Sequence, residues 1–362
     1  MSVLTILSAL FGYLARIPGA IVRGWDRFFF TPADPIVLGM IRILVGSILF
    51  YIHISCASSV LDFIGPNAWV DEQVYPELYE LKNHPRYDLK YKTPLPSEID
   101  NHAMQMRMIK PYGFSIWFLI QDPTWIKITY YAGIVCVGLF TLGFMTRITS
   151  ILTWAFHLSY MHRAMMIWFG MDAMISFMTL YLCIAPCGSV LSLDRLILRW
   201  RTGKPLPPVQ PMWSANLALR LMQLHMCIVY FIAGIAKLQG NTWWNGTATW
   251  MTMNSPLFNE GLDIGWITNP ALGEWFWFYI CFLSTYMTLA FEIAFPFLIW
   301  NRTFRPWMLF AAFVLHLGIA IFMGLGGFGG IMLSGCMSFI PPAGMRWFLN
   351  TLTGRAPPSN LG

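Results

Sequence analysis

The 362-residue chain is 57% hydrophobic and 16% aromatic, and only 11% of it is charged. A soluble globular protein carries about 25% charged residues, so the composition excludes a soluble domain and makes lipid the expected solvent. The net charge of +6 then reads as basic residues gathered on one side of a membrane, with no nucleic acid as partner. In chain order, residues 1–30 lack a basic stretch ahead of their short apolar run, and Arg16, Arg23 and Arg27 follow it. That argues against a cleaved signal peptide and for an amphipathic segment lying on the membrane surface.

A membrane span needs about 20 mostly apolar residues. The apolar stretches are Ile36–Val60, Trp125–Phe144, Ile148–Met161, Asp172–Cys187, Ala215–Leu238, Trp275–Trp300, Pro306–Leu325 and Gly327–Pro341. They predict an all-α polytopic bundle of about eight transmembrane helices over residues 31–342, with an outer loop at 62–111 and a short cytoplasmic tail at 343–362. A further helix is expected in or on the membrane around Phe114–Ile120. With eight spans both termini share one side. Twelve basic residues fall on that side and eight on the other, which predicts cytoplasmic termini and a multi-pass protein of the plasma membrane.

The seven cysteines sit in apolar runs with no CxxC pair. They read as small buried residues, with no disulfide framework and no metal site. The glycine-rich GLGGFGG joins two spans without a preceding strand, so it predicts close helix contact rather than phosphate binding.

Ionisable side chains inside a bilayer cost about 3 kcal/mol each on insertion scales, so they face partners or cavities. In the fifth span Arg220, Gln223, Cys227, Tyr230, Gly234 and Lys237 recur at steps of three and four, on one helical face. Depth assigned from the orientation groups Arg42, Arg220 and Glu292 on the inner side as a structural ion cluster. It groups His53, Asp172 and Lys237 on the outer side, with His316 below them. Lys237 has two readings. It snorkels to water at a helix end, or it is a base whose ammonium is discouraged by desolvation. The second requires Lys237 to be screened from Asp172, or Asp172 to be protonated.

The pieces TPADPIVLGMIRILVG, LGFMTRI, SLD, VYFIAGIAKL, WWNG and EIAFPFL, together with His316, resemble the transmembrane module of vitamin K-dependent gamma-carboxylases, the horizontally transferred transmembrane (HTTM) domain. The resemblance covers about Thr31 to Pro342, and VYFIAGIAKL is its most specific piece. It implies that Lys237 matches the base that deprotonates a reduced, vitamin K-like quinone. In the family, oxygenation of that anion gives an alkoxide basic enough to take a proton from substrate glutamate before carbon dioxide adds. Asp172 and His316 are then the companion catalytic candidates, and Tyr230, His53, Trp243 and Trp244 the candidates to hold the quinone. Two departures qualify this. The animal enzymes carry a histidine where this chain has Asp172. They also continue into a lumenal domain that binds a substrate polypeptide, whereas about 20 residues follow the last span here. The resemblance therefore implies quinone chemistry on a separate protein or peptide, without implying glutamate carboxylation. The alternative reading is a non-catalytic membrane subunit that helps a peptide mature or leave the cell.

Overall fold

The computed structural model describes residues 3–70, 115–164, 167, 169–253, 255 and 274–354. Among them the regular structure is helical, apart from one isolated antiparallel bridge between Ala33 and Met212. Each of the eight apolar stretches has become a helix. Of the expected outer loop, residues 71–111 lie outside the described residues, as do 355–362 of the tail. Within the expected Phe114–Ile120 helix only a single 3-10 turn forms, at Ile116–Phe118.

In chain order the helices are α1 (Val3–Phe30), α2 (Ile36–Ser55), α3 (Val60–Ile64), α4 (Pro123–Leu142), α5 (Thr146–Arg163), α6 (Gly170–Ile184) and α7 (Leu193–Thr202). They continue with α8 (Trp213–Lys237), α9 (Asn241–Trp244), α10 (Ala248–Met253), α11 (Glu274–Leu298), α12 (Arg305–Phe322), α13 (Gly326–Cys336) and α14 (Pro342–Leu352). Five of them, α2, α4, α8, α11 and α12, are long and apolar enough to cross a membrane. A sixth span results if α13 and α14, bent by 119° across Pro341, count as one. The expected count of about eight is thus five or six by this measure. The shortfall has a physical cause. Helix α6 is apolar but has 15 residues, about 22 Å of helix against a hydrocarbon core of about 30 Å. Helix α5 carries Arg147, His157, His162 and Arg163 within 18 residues.

Local chemistry sets the helix ends. The Asp122 carboxylate accepts from the Thr124 and Trp125 amides at 2.8 and 3.0 Å, with Pro123 next, where its missing N–H costs nothing. Gly143 closes α4 at φ +80°, and the Asp194 carboxylate takes the Met145 amide before α5 begins.

The core is built around α2, which packs on α4, α6 and α13. Val37, Ile41, Val45 and Leu49 repeat at one-turn intervals and are fully buried. Gly46 lets α4 approach: a Cβ there would collide with the Thr141 side chain and lie 3.1 Å from its Cα. Gly329 near the start of α13 does the same for α12, since a Cβ would lie 2.7 Å from the His316 carbonyl oxygen. The glycine-rich seam therefore serves close helix contact, as its sequence suggested.

The α2–α4 contact gives a first prediction. Gly46→Leu forces the two helices apart, at an overpacking cost of about 1–3 kcal/mol. Thermal unfolding in detergent should show a lower midpoint by several degrees, and an unchanged midpoint would contradict the close approach.

Candidate functional site

Lys237 is the last residue of α8. Its Nζ lies 2.8 Å from Oε2 and 2.9 Å from Oε1 of Glu292 on α11, so both carboxylate oxygens engage the ammonium. The Lys237 side chain is 24% exposed and that of Glu292 9%. Gly234, one turn before Lys237, makes the approach possible: a Cβ would come within 2.9 Å of Ile293 and 3.3 Å of the Glu292 Cβ. The chain then folds back over α11. Thr249 on α10 meets Thr285 through two hydrogen bonds, at 3.1 and 2.9 Å. The Tyr286 hydroxyl donates to the Trp244 carbonyl at 2.6 Å. This segment sets the Trp243 ring 5.2 Å from Nζ, close enough for a cation–π contact. The Trp244 ring turns outward, its indole N–H held by the Leu238 carbonyl at 2.7 Å.

Two turns back along α8, on the face predicted, the Tyr230 hydroxyl lies 2.7 Å from His316 Nε2 and 3.4 Å from Cys336 Sγ. Its ring packs on Phe291 and Phe295, which flank Glu292 on α11. His316 Nδ1, although buried, has no hydrogen-bond partner. The Lys237–Glu292 pair and the Tyr230–His316–Cys336 unit thus follow one another along the α8–α11 seam, about 10 Å apart in helix rise.

The other predicted residues are distributed differently. His53 does not reach Lys237. Its Nδ1 lies 3.2 Å from the Tyr130 hydroxyl, which donates to the His53 carbonyl at 2.9 Å. Phe156, His157 and Tyr160 enclose the His53 ring. Asp172 is likewise apart from Lys237. Its carboxylate takes the Phe169 amide at 3.0 Å, capping α6, and its carbonyl meets His157 Nε2 at 3.0 Å. The outer grouping of His53, Asp172 and Lys237 is therefore corrected: His53 and Asp172 are linked through His157, and Lys237 belongs with Glu292.

The inner grouping is corrected as well. Arg42 spends its guanidinium on the carbonyls of Cys187, Val190 and Leu191, at 2.6, 3.4 and 2.5 Å. Arg220 bonds Gln223 and the Phe28 carbonyl and stacks over the Phe28 ring. Glu292 meets neither. Helices α8 and α11 pair antiparallel with Tyr230 beside Phe295, and that register carries Glu292 to Lys237. Depth counted from the ends of apolar runs placed Glu292 a few turns too far from it. A sequence signal for the pairing exists: after Arg220, Lys237 and Glu292 are the ionisable Lys, Arg, Asp or Glu residues of the apolar parts of two consecutive long spans. His157 and Cys336 were missed because a lone histidine in a serine-rich stretch and a lone cysteine carry no spacing signal.

The HTTM domain family model matches residues 95–343, well over half of the chain. The chain belongs to the HTTM domain family. No curated protein and no solved structure matches it. The matched stretch contains the whole Lys237–Glu292–Tyr230–His316–Cys336 seam, while His53 and Arg42 precede it. With the five or six apolar helices, membership makes this HTTM protein a multi-pass integral membrane protein.

The geometry of the pair predicts a stability pattern. Removing one member of a buried pair strands the other, at a cost of about 3 kcal/mol, whereas replacing both by apolar groups is often neutral. Lys237→Ala and Glu292→Ala should each lower the unfolding midpoint more than the double variant Lys237→Met/Glu292→Leu. Additive losses in the double variant would mean that the two groups do not interact.

Proposed function

We propose that this HTTM protein is a membrane-embedded, quinol-dependent enzyme in which Lys237 is the base and Glu292 the group that holds its proton. The observation that carries the reading is the contact of both Glu292 oxygens with Nζ at the head of the Tyr230–His316 seam. A lysine is a base only as the neutral amine. Beside a carboxylate the unit is neutral overall in either form, as ammonium with carboxylate or as amine with carboxylic acid. In this reading the ammonium passes a proton to the Glu292 carboxylate, which leaves the amine free to act as a base. Glu292 thereby removes the difficulty expected from Asp172, since the counter-charge beside the lysine can itself take up the proton.

The residues suit an aromatic ring with polar edges. Trp243 and Phe291 offer ring faces. One ammonium N–H bond goes to Glu292 Oε1, with Oε2 at ion-pair distance, and His316 Nδ1 is unspent. A reduced quinone, when bound, would supply a weakly acidic hydroxyl and an electron pair. Lys237 would accept a proton from such a hydroxyl and Glu292 would keep the amine available, with the Tyr230–His316 hydrogen bond fixing the wall of the site. Trp244, facing outward, is the weakest of the proposed quinone contacts, and His53 lies in the separate His157 cluster. The substrate in this reading is a separate protein or peptide. We place both termini on the cytoplasmic side of the plasma membrane, following the basic excess on that side.

A rival reading rests on the same contact. A pair that uses both carboxylate oxygens also locks α8 to α11, as a non-catalytic subunit would need. Purified protein in nanodiscs, supplied with a reduced naphthoquinone and with dissolved dioxygen as the electron acceptor, and followed by absorbance, separates the two. Lys237→Ala should lower the oxidation rate by about 100-fold or more, the range of a positioned general base, and Glu292→Gln should lower it less. A wild-type rate in Lys237→Ala sinks the enzyme reading. Full complementation in cells by Lys237→Gln, with a stably co-purifying protein, supports the subunit.

A further inference from the structure

At the opposite end of α8 from Lys237, two guanidinium groups gather around Trp300. Arg220 lies with Cζ 4.5 Å from the Phe28 ring and 5.8 Å from the Trp300 ring. Arg305, at the start of α12, donates to the Ile299 and Trp300 carbonyls at 3.2 and 3.3 Å. Both guanidinium groups thus meet Trp300, one at its ring and one at its carbonyl. Among the described residues neither forms an ion pair, since the acids that do are Glu292 with Lys237 and Asp34 with Arg346. Asp26, two residues before Phe28, is about 160° round α1 from it and exposed.

A guanidinium has five N–H bonds. Arg220 uses one on the Phe28 carbonyl and one on Gln223, and Arg305 uses its two on the carbonyls above. Three N–H bonds of each are therefore unspent, on two like charges held together by backbone carbonyls and aromatic rings. Such a placement favours an anion beside the two groups. Planar guanidinium forks match the oxygens of a phosphate. The location selects the source of that phosphate. The site lies in the turn between two apolar spans, α11 and α12, and the exposed rings of Trp25, Phe304 and Trp307 flank it. Aromatic residues with this placement belong to the headgroup level of a bilayer.

We propose that Arg220 and Arg305 form a binding site for the phosphate of an anionic lipid headgroup, with Trp25, Phe304 and Trp307 against the upper part of its acyl chains. Occupation ties α1, through Phe28, to the α11–α12 turn. Through the Arg220–Gln223–Ser338 hydrogen bonds, at 2.9 and 2.6 Å, it also fixes the foot of α8 to the 3-10 turn at Met337–Phe339 after α13.

The test uses the full-length protein in mild detergent, titrated with phosphatidylglycerol, phosphatidylcholine or inorganic phosphate while thermal unfolding is followed by tryptophan fluorescence. Phosphatidylglycerol should raise the midpoint by about 3 °C or more, and the other two should not. Arg305→Gln should require about tenfold more phosphatidylglycerol for half the effect, as expected for a lost charge-assisted contact. Arg302→Gln, an exposed neighbour, should behave as wild type. An equal response to phosphatidylcholine or to inorganic phosphate overturns the proposal. So does an unaltered Arg305→Gln response, or an Arg302→Gln loss as large as that of Arg305→Gln, which would mark diffuse surface charge. Native mass spectrometry of the wild-type protein from mixed micelles needs no variant. One phosphatidylglycerol retained per chain, in preference to phosphatidylcholine, supports the site, and no preference overturns it.

Discussion

The Lys237–Glu292 pair is the constraint on which the arrangement of the α8–α11 seam depends. Each charge alone would cost about 3 kcal/mol at mid-membrane depth, and the pair cancels the net charge while leaving a strong dipole. For the oxygens to reach Nζ the two helices must come close at one register, and Gly234 supplies the space. That register in turn brings Phe291 and Phe295 onto Tyr230 and directs the Tyr230 hydroxyl to His316 and Cys336. A charged contact at one point of the seam thus decides which neutral polar groups meet further down.

Two buried arginines take backbone acceptors instead. Arg42 gathers three carbonyls of the turn at 187–191, and Arg163 takes those of Gly65 and Val70. Carbonyls in a turn have no intrahelical donor, and in lipid they have no water either. A buried arginine solves both problems, because its five donors meet acceptors that would otherwise be stranded. This explains why arginine occurs where the chain reverses.

These two kinds of partner also explain what could be read from the sequence. Every apolar stretch became a helix, because a run of that length in lipid can satisfy its backbone in no simpler way. The stripe from Arg220 to Lys237 was legible for the same reason: helical spacing is fixed at 3.6 residues per turn. The cross-helix partners were not. Register between α8 and α11 depends on where each helix begins and on Gly234, and that register brought Glu292 to Lys237 instead of to the expected company of Arg42 and Arg220. Arg42 and Arg163 bind carbonyls, which every residue possesses, so no residue type marks the partner. His157 was silent because its contact with Asp172 is to the carbonyl rather than the carboxylate.

Two polar groups of helices therefore coexist in the bundle, and their chemistry differs. In the His53–His157 group the ring nitrogens meet a tyrosine hydroxyl and a carbonyl, and the carboxylate of Asp172 is committed to the Phe169 amide as a helix cap. Along the α8–α11 seam a cation faces a carboxylate through both oxygens, so a proton can rest on either side with no change in net charge. A proton taken from a weak acid adds one positive charge to such a pair, and the anion left on the acid is then the counter-charge, so base and acid must lie side by side within lipid. Glu292, rather than Asp172, is the carboxylate that faces Lys237, and for that reason the proposed acid–base chemistry is placed on the α8–α11 seam.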